Sequence, residues 1–138
     1  MSYQRLTEIS NDLILESKDY SFVRQALFTA LEPPNKIAII LKGARGVGKS
    51  TLMQQFLYSK KNNGESVFYV SADSTLITVK LAELAHEYYR RGGQYLAIDE
   101  IHKYPGWQAE VKTILDSFSN IKLIVSGSSS LNLDNAIP

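Results

Sequence analysis

Short apolar runs alternate with amphipathic stretches along most of the 138-residue chain. Four runs lack polar alternation, which is typical of strands buried on both faces of a parallel sheet. They lie at 37–41, 66–70, 94–98 and 121–125. Between them, apolar residues recur at helical spacing and predict helices over 49–60, over 79–90 and from Pro105 to Phe118. This alternation predicts right-handed βαβ units and an α/β fold, a three-layer αβα sandwich around a mostly parallel sheet.

The first 35 residues predict a short N-terminal helical segment. An apolar stripe at helical spacing marks a first helix: Leu6, Ile9 and Leu13. Asp19 is placed to cap a second helix, which must end before Pro33. The chain therefore divides into a helical segment, 1–35, and a core, 36–138.

Composition and charge narrow the class of protein. The apolar share is 44%, the charged share 21% and the net charge +1, values that favour an ordinary globular domain and do not compel a nucleic-acid partner. The chain has no cysteine, so disulfides and thiolate metal sites are excluded. No apolar run approaches the roughly 20 residues that span a bilayer, and the polar N-terminus lacks a signal-peptide core. We expect a cytoplasmic protein with no membrane contact.

One glycine-rich segment predicts a phosphate-binding loop. It reads Gly43-Ala44-Arg45-Gly46-Val47-Gly48-Lys49-Ser50 and matches G-x-x-x-x-G-K-[ST], the Walker A motif, without deviation. It follows a predicted buried strand and opens a predicted helix, which is the context that the motif requires. Backbone N–H groups of such a loop wrap a triphosphate, and the positive end of the helix points at it. Lys49 is expected to reach the β- and γ-phosphate oxygens, and the Ser50 hydroxyl to bind Mg²⁺.

A second motif follows the third predicted strand. Asp99 and Glu100 come directly after the apolar run, as in a Walker B motif. Asp99 would then lie at the carboxyl end of the sheet, beside the phosphate loop, and hold the Mg²⁺ shell. Glu100 is placed to orient and polarise the water that attacks the γ-phosphate, which favours hydrolysis over nucleotide sensing alone.

A serine-rich stretch, 126–130, follows the fourth predicted strand. A polar side chain at this position can touch the γ-phosphate or the attacking water, the role called sensor 1. We select Ser126 as the candidate, with Ser128 as the alternative. Serine and glycine are also ordinary loop residues.

The three motifs together resemble a known family. G-A-R-G-V-G-K-S-T-L-M, L-A-I-D-E-I-H-K-Y-P-G-W and K-L-I-V-S-G-S-S-S-L look like the prokaryotic AAA-type ATPases of AAA domain family fourteen, over about residues 15–138. The resemblance implies an additional-strand P-loop fold that binds ATP through residues Gly43 to Thr51. It also implies Mg²⁺ binding by Ser50 and Asp99, catalysis by Glu100 with Lys49, and γ-phosphate sensing between Ser126 and Ser128.

Two functions remain open from the sequence. The first is a Mg²⁺-dependent ATPase whose hydrolysis drives a conformational change in a partner or downstream domain. The second is a switch that holds ATP, hydrolyses it rarely and recruits a partner in the bound state. A GTPase is disfavoured because no guanine-reading Asn/Thr-Lys-x-Asp motif is present. A small-molecule phosphoryl transferase is disfavoured because we identify no acceptor-binding arginines.

The additional-strand fold implies a sheet order of 5-1-4-3-2. Only four apolar runs are found, so we expect the last strand to be lacking and the 37–41 strand to be left at an edge, where self-association is possible. Arg91 is the last arginine. Because an arginine finger is worth about 10³ to 10⁵ in rate, we expect weak ATP turnover by this chain alone.

Overall fold

Helices and parallel strands alternate in the computed structural model of the chain, which describes residues 2–17, 37–42, 48–118 and 121–127. The helices are α1 (Ser2–Ser17), α2 (Lys49–Asn62), α3 (Leu81–Arg90) and α4 (Trp107–Ser117). The strands are β1 (Ile37–Lys42), β2 (Val67–Ser71), β3 (Tyr95–Asp99) and β4 (Lys122–Gly127). A short 3₁₀ helix, Ile101–Lys103, follows β3.

The described strands form one parallel sheet in the order β1-β4-β3-β2. All three pairings are parallel, and β4 lies between β1 and β3. The expected order of strands 1-4-3-2 is thereby confirmed, and with it the additional-strand type of P-loop fold. The expected absence of a fifth strand concerns residues after Gly127, which lie outside the described part of the chain.

Apolar side chains from both faces of the sheet make two cores. On one face, Tyr95, Ala97 and Ile124 pack with α2 residues such as Phe56 and Leu57. On the other, the alternate strand residues pack with α3 and α4: Phe68, Val70, Leu96, Ile98, Leu123 and Val125. Because successive residues of a strand point to opposite faces, β2, β3 and β4 each contribute to both cores. The predicted three-layer αβα sandwich is confirmed.

Helix α1 packs against α2 and strand β2. Its buried residues are spaced by about one helical turn: Leu6, Ser10, Ile14 and Ser17. Leu6 joins the core beneath α3 and α4, whereas Ile14 joins the core beneath α2. At the position between them, the Ser10 hydroxyl accepts a hydrogen bond of 2.7 Å from the backbone N–H of Tyr69 on β2. Helix α1 therefore lies against the outer edge of β2 and reaches both faces of the sheet.

Several predicted boundaries shift. Helix α3 begins at Leu81 and not at Val79, which is exposed. Strand β4 continues to Gly127, so Ser126 lies within a strand and not in a loop after it. The predicted second N-terminal helix lies outside the described residues, as does the boundary between segments 1–35 and 36–138. Among the described helices, none is both long and apolar enough to cross a membrane.

Candidate functional site

The predicted phosphate-binding and acidic motifs meet at the carboxyl end of the sheet. Ser50 lies in the first turn of α2, Asp99 is the last residue of β3, and Ser126 is near the end of β4. The Ser50 hydroxyl donates a hydrogen bond to Asp99 Oδ2. Two residues that are far apart in sequence thus form one polar site, as the two motifs predicted.

The start of α2 is fixed by Gly48 and Lys49. Gly48 has φ +83°, a left-handed conformation that glycine adopts without a steric penalty, and its carbonyl accepts a bond from Leu52 N–H. Lys49 Nζ donates a 3.0 Å hydrogen bond to the carbonyl of Gly127 at the end of β4. The ammonium is thereby held across the ends of the strands, within the region where a phosphate would meet the helix N-terminus.

Asp99 is a nearly buried carboxylate, 3% exposed, that accepts hydrogen bonds from three hydroxyl groups. Ser50 and Tyr69 donate to Oδ2, the latter at 2.5 Å, and Ser126 donates to Oδ1. A buried carboxylate needs such partners, because an unpaired charge is costly in a low-dielectric interior. The three donors come from α2, β2 and β4, so the carboxylate ties these elements to β3.

Tyr69 contacts Asp99 from the core. Its side chain is buried, and burial together with the nearby negative charge of Asp99 raises the pKa of the Tyr69 phenol well above its ordinary value. The phenol therefore keeps its proton near neutral pH and acts as a hydrogen-bond donor.

Glu100 turns the chain sharply after β3. Its φ of 51° and ψ of 49° are left-handed, a backbone conformation that is energetically unfavourable for a residue that has a Cβ atom. It is the one non-glycine residue with positive φ among the described ranges. Its backbone N–H donates a 2.9 Å bond to the Ser126 hydroxyl, which stabilises the turn. Strained backbone of this kind is often found at functional sites.

The Glu100 side chain is one-third exposed and forms an ion pair with Lys103, with Oε2 and Nζ 3.2 Å apart. Lys103 Nζ also lies 3.5 Å from Asp73 Oδ2, and Asp73 accepts a hydrogen bond from the Ser71 hydroxyl. The Glu100 carboxylate raises the pKa of Lys103, and the Ser71 hydroxyl lowers the pKa of Asp73. A chain of charges thus runs along the rim of the site from β2 to the 3₁₀ helix.

The arrangement fits a magnesium ion by the chemistry of its donors. Mg²⁺ prefers hard oxygen ligands and is commonly held by one or two protein oxygens plus phosphates and water. The Ser50 hydroxyl and the Asp99 carboxylate are adjacent oxygen donors of this type. Of the predicted phosphate-loop residues, the structure describes Gly48, Lys49, Ser50 and Thr51, while Gly43 to Val47 and the alternative sensor Ser128 lie outside it.

Two site residues were missed from the sequence. Lys103 lies within the second quoted motif but was given no role, and Tyr69 belongs to a run outside the motifs, Val67-Phe-Tyr-Val70, that is typical of an ordinary buried strand. Alternation along that strand places Tyr69 on one face and Phe68 on the other, but the face is known only once the sheet is assembled. The hydroxyl within an otherwise apolar strand was the available signal, since buried Tyr O–H groups usually find a partner.

The fold and these contacts define a nucleotide-binding domain of the P-loop ATPase type. The AAA domain family profile matches residues 35–138, and the chain belongs to this family. The resemblance drawn from the three motifs is thereby confirmed.

Two known proteins are similar to this chain, one in sequence and one in fold. The uncharacterized protein MJ1637 of Methanocaldococcus jannaschii is 31% identical over 125 residues, which cover 83% of this chain and 26% of that protein. The chain thus spans about a quarter of that relative's length. The replication initiator DnaA, solved bound to AMPPCP and single-stranded DNA, superposes with a TM-score of 0.58 at 20% identity, over 88% of this chain and 44% of that one.

Proposed function

We propose that this domain binds ATP with Mg²⁺ and hydrolyses it, and that hydrolysis drives a conformational change in a partner or a further domain. The observation that carries the proposal is the contact between Ser50 and Asp99, which joins the phosphate-loop helix to the acidic strand end. Glu100 follows Asp99 directly and is partly exposed at the same edge.

Each residue has a separate task in the proposed reaction. Backbone N–H groups of Gly43 to Thr51 hold the phosphates, and Lys49 leaves the Gly127 carbonyl to pair with β- and γ-phosphate oxygens. Ser50 and Asp99 would hold Mg²⁺, which would supply positive charge to offset the negative charge of the phosphates. Glu100 accepts a proton from water as the water oxygen bonds to the γ-phosphorus and ADP leaves. Ser126 holds Asp99 and Glu100 in place, and its hydroxyl is also proposed to contact the γ-phosphate.

A nucleotide-dependent switch with little hydrolysis is the second candidate. The observation that favours it is the 3.2 Å ion pair between the Glu100 carboxylate and Lys103. This ion pair occupies a carboxylate oxygen that the attacking water would otherwise use. In this version the ATP-bound state recruits a partner, and turnover waits until Glu100 is released.

The first experiment tests nucleotide binding. Lys49→Ala removes a charge-assisted contact to phosphate, so we expect ATP affinity to fall at least tenfold, about 1.4 kcal/mol. Isothermal titration with Mg²⁺–ATP measures it. Lys61→Ala, which removes an exposed lysine at the opposite end of α2, is the matched control and should bind like the wild type. Equal affinities of Lys49→Ala and the wild type would refute the phosphate site.

The second experiment separates the two candidates. Glu100→Gln keeps the size of the side chain and loses the base, so binding should persist while phosphate release falls by about 10² to 10⁴. Glu83→Gln, an exposed glutamate on α3, is the control. A wild type that binds Mg²⁺–ATP without measurable phosphate release supports the switch. Phosphate release by Glu100→Gln at the wild-type rate would show that Glu100 is not the base.

A further inference from the structure

We propose that Tyr69 is a positioning residue for the metal site: its hydroxyl fixes the orientation of the Asp99 carboxylate that binds Mg²⁺. This inference rests on the proposed function, since it assigns Asp99 as the metal-binding carboxylate. It adds to the site a residue from β2, a strand that carries none of the three sequence motifs.

The geometry of the carboxylate gives Tyr69 a task that Ser50 does not perform. Both hydroxyls donate to the same oxygen, Asp99 Oδ2. Ser50 is itself a proposed metal ligand and sits at the exposed start of α2. The Tyr69 hydroxyl reaches Oδ2 from the interior, at 2.5 Å, so it constrains the carboxylate whether or not Ser50 is engaged with an ion.

Packing keeps the Tyr69 hydroxyl in place. The residue is 6% exposed, and its ring belongs to the core that includes Leu52, Met53 and Ile124. A ring buried in a dense core has few alternative rotamers, so its hydroxyl is directed at Asp99 before any ligand arrives.

The backbone of Tyr69 is held as well. Its N–H donates a 2.7 Å hydrogen bond to the hydroxyl of Ser10 on α1. Helix α1 therefore holds the backbone of Tyr69, whose side chain in turn orients the Asp99 carboxylate. Hydrogen bonds from outside the ligand shell orient metal ligands, and their loss typically costs about 10- to 100-fold in metal affinity or activity. A tyrosine held on both its backbone and its ring suits this positioning task.

The test compares nucleotide affinity with and without the metal. For each protein, titration of ATP in excess Mg²⁺ and in EDTA gives a ratio of dissociation constants that reports the contribution of Mg²⁺. Tyr69→Phe keeps the ring and loses only the hydroxyl, so we expect the affinity in EDTA to be unchanged and the Mg²⁺ contribution to fall about tenfold or more. A residue that only supported the fold would change stability and leave this ratio as it is.

Tyr95→Phe is the matched control. Tyr95 is also a buried tyrosine of the same core, but it lies at the opposite end of β3, where its oxygen is 3.4 Å from Lys122 Nζ. Its variant should retain the full Mg²⁺ contribution. Tyr69→Met, which fills the space with a flexible apolar side chain, is a second variant without the hydroxyl should Tyr69→Phe not fold, and the same loss is expected.

The outcomes distinguish the inference from the proposed function. Asp99→Asn should remove most of the Mg²⁺ contribution. If it does so while the Tyr69 variants keep the wild-type ratio, the positioning role is wrong and the metal site stands. If the wild type itself shows no Mg²⁺ contribution, or Asp99→Asn preserves it, the proposed metal site is wrong and the role of Tyr69 falls with it.

Discussion

Ser126 connects the two acidic residues of the site through one hydroxyl group. Its Oγ donates to Asp99 and accepts from the backbone N–H of Glu100, and its side chain is completely buried. The hydroxyl therefore satisfies a buried charge and stabilises a left-handed turn at the same time. Whatever contact it makes with a nucleotide, its position in the structure already ties the end of β3 to β4.

This double contact makes a prediction about stability. Ser126→Ala leaves the buried Asp99 carboxylate short of a donor and the partly buried Glu100 N–H short of an acceptor. An unsatisfied buried group costs about 1–3 kcal/mol, so we expect the free energy of unfolding to fall by at least about 2 kcal/mol. Urea denaturation followed by circular dichroism measures the change.

Ser71→Ala is the control for that measurement. The Ser71 hydroxyl also bonds to an aspartate at the end of a neighbouring strand, but Asp73 is exposed and water can replace the bond. Surface substitutions of this kind usually stay within about 0.5 kcal/mol of the wild type. Equal losses in the two variants would mean that the Ser126 contacts do not stabilise the fold.

At the level of single residues, the sequence predicted the contacts that a motif encodes and missed those that only folding creates. The spacing of the two Walker motifs predicted that Ser50 and Asp99 would meet, and they do. Tyr69 and Lys103 could not be predicted in the same way. Their contacts depend on which face of β2 is turned toward α2 and on the tight turn at Glu100, which no local pattern specifies.

Helix α1 covers the edge of strand β2 that has no neighbouring strand in the described sheet. In the described sheet β2 pairs with β3 on one side only, so the N–H and C=O groups on its other side need partners. The Ser10 hydroxyl accepts from Tyr69 N–H, and Gln55 on α2 donates to the Ser17 carbonyl of α1 at 3.3 Å. The helix is thus held to both the strand edge and the phosphate-loop helix.

Loss of the Ser10 hydroxyl should weaken this attachment. Ser10→Ala leaves the Tyr69 N–H buried without its acceptor, and we expect the free energy of unfolding to fall by about 1–3 kcal/mol. Ser17→Ala is the matched control, because Ser17 is a buried serine of the same helix whose hydroxyl donates, within the described part of the chain, to the Ile14 carbonyl of that helix. Chemical denaturation of both variants measures the free energy of unfolding. If Ser10→Ala lost no more stability than Ser17→Ala, the contact between Ser10 and the edge of β2 would not stabilise the fold.

Elements were predicted well where their periodicity was strong and less well where tertiary contacts set the limits. The apolar runs gave all four described strands, and their order followed from the family resemblance. The stripe predicted for α1 named Ile9 and Leu13, which are half-buried, and overlooked Ser10, which is buried. A polar residue on a buried face is invisible to a hydrophobic pattern, because its burial depends on a partner on another element. The predicted helix start at Val79 was wrong for a similar reason: Val79 is apolar, but its side chain is exposed and packs in neither core.

For the whole molecule, buried tyrosine hydroxyls occur at both ends of the sheet. Tyr69 lies at the carboxyl end beside Asp99. Near the other end Tyr88, on α3, donates a 2.7 Å bond to the carbonyl of Tyr95 and accepts from Gln94 N–H at 3.2 Å. Burial raises the pKa of Tyr88 to about 12. Folding therefore keeps these phenols protonated in a pH range where the unfolded chain would release their protons. The free energy of unfolding should consequently fall as the pH becomes alkaline.

The sign of that dependence follows from proton counts. An unfolded tyrosine titrates near pH 10, whereas Tyr88 in the folded chain titrates near 12. Below pH 10 both states hold the proton and the contribution to stability is complete; between pH 10 and 12 the unfolded state binds fewer protons, so stability falls as pH rises. One such group over this window accounts for a loss of about 2–3 kcal/mol.

Urea midpoints measured from pH 8 to 12 should decline more steeply for the wild type than for Tyr88→Phe, whatever the difference in stability at pH 8. Tyr58→Phe, which removes the hydroxyl of a half-buried tyrosine on α2, should keep the wild-type slope, and parallel curves for Tyr88→Phe and the wild type would show that Tyr88 does not carry the alkaline transition.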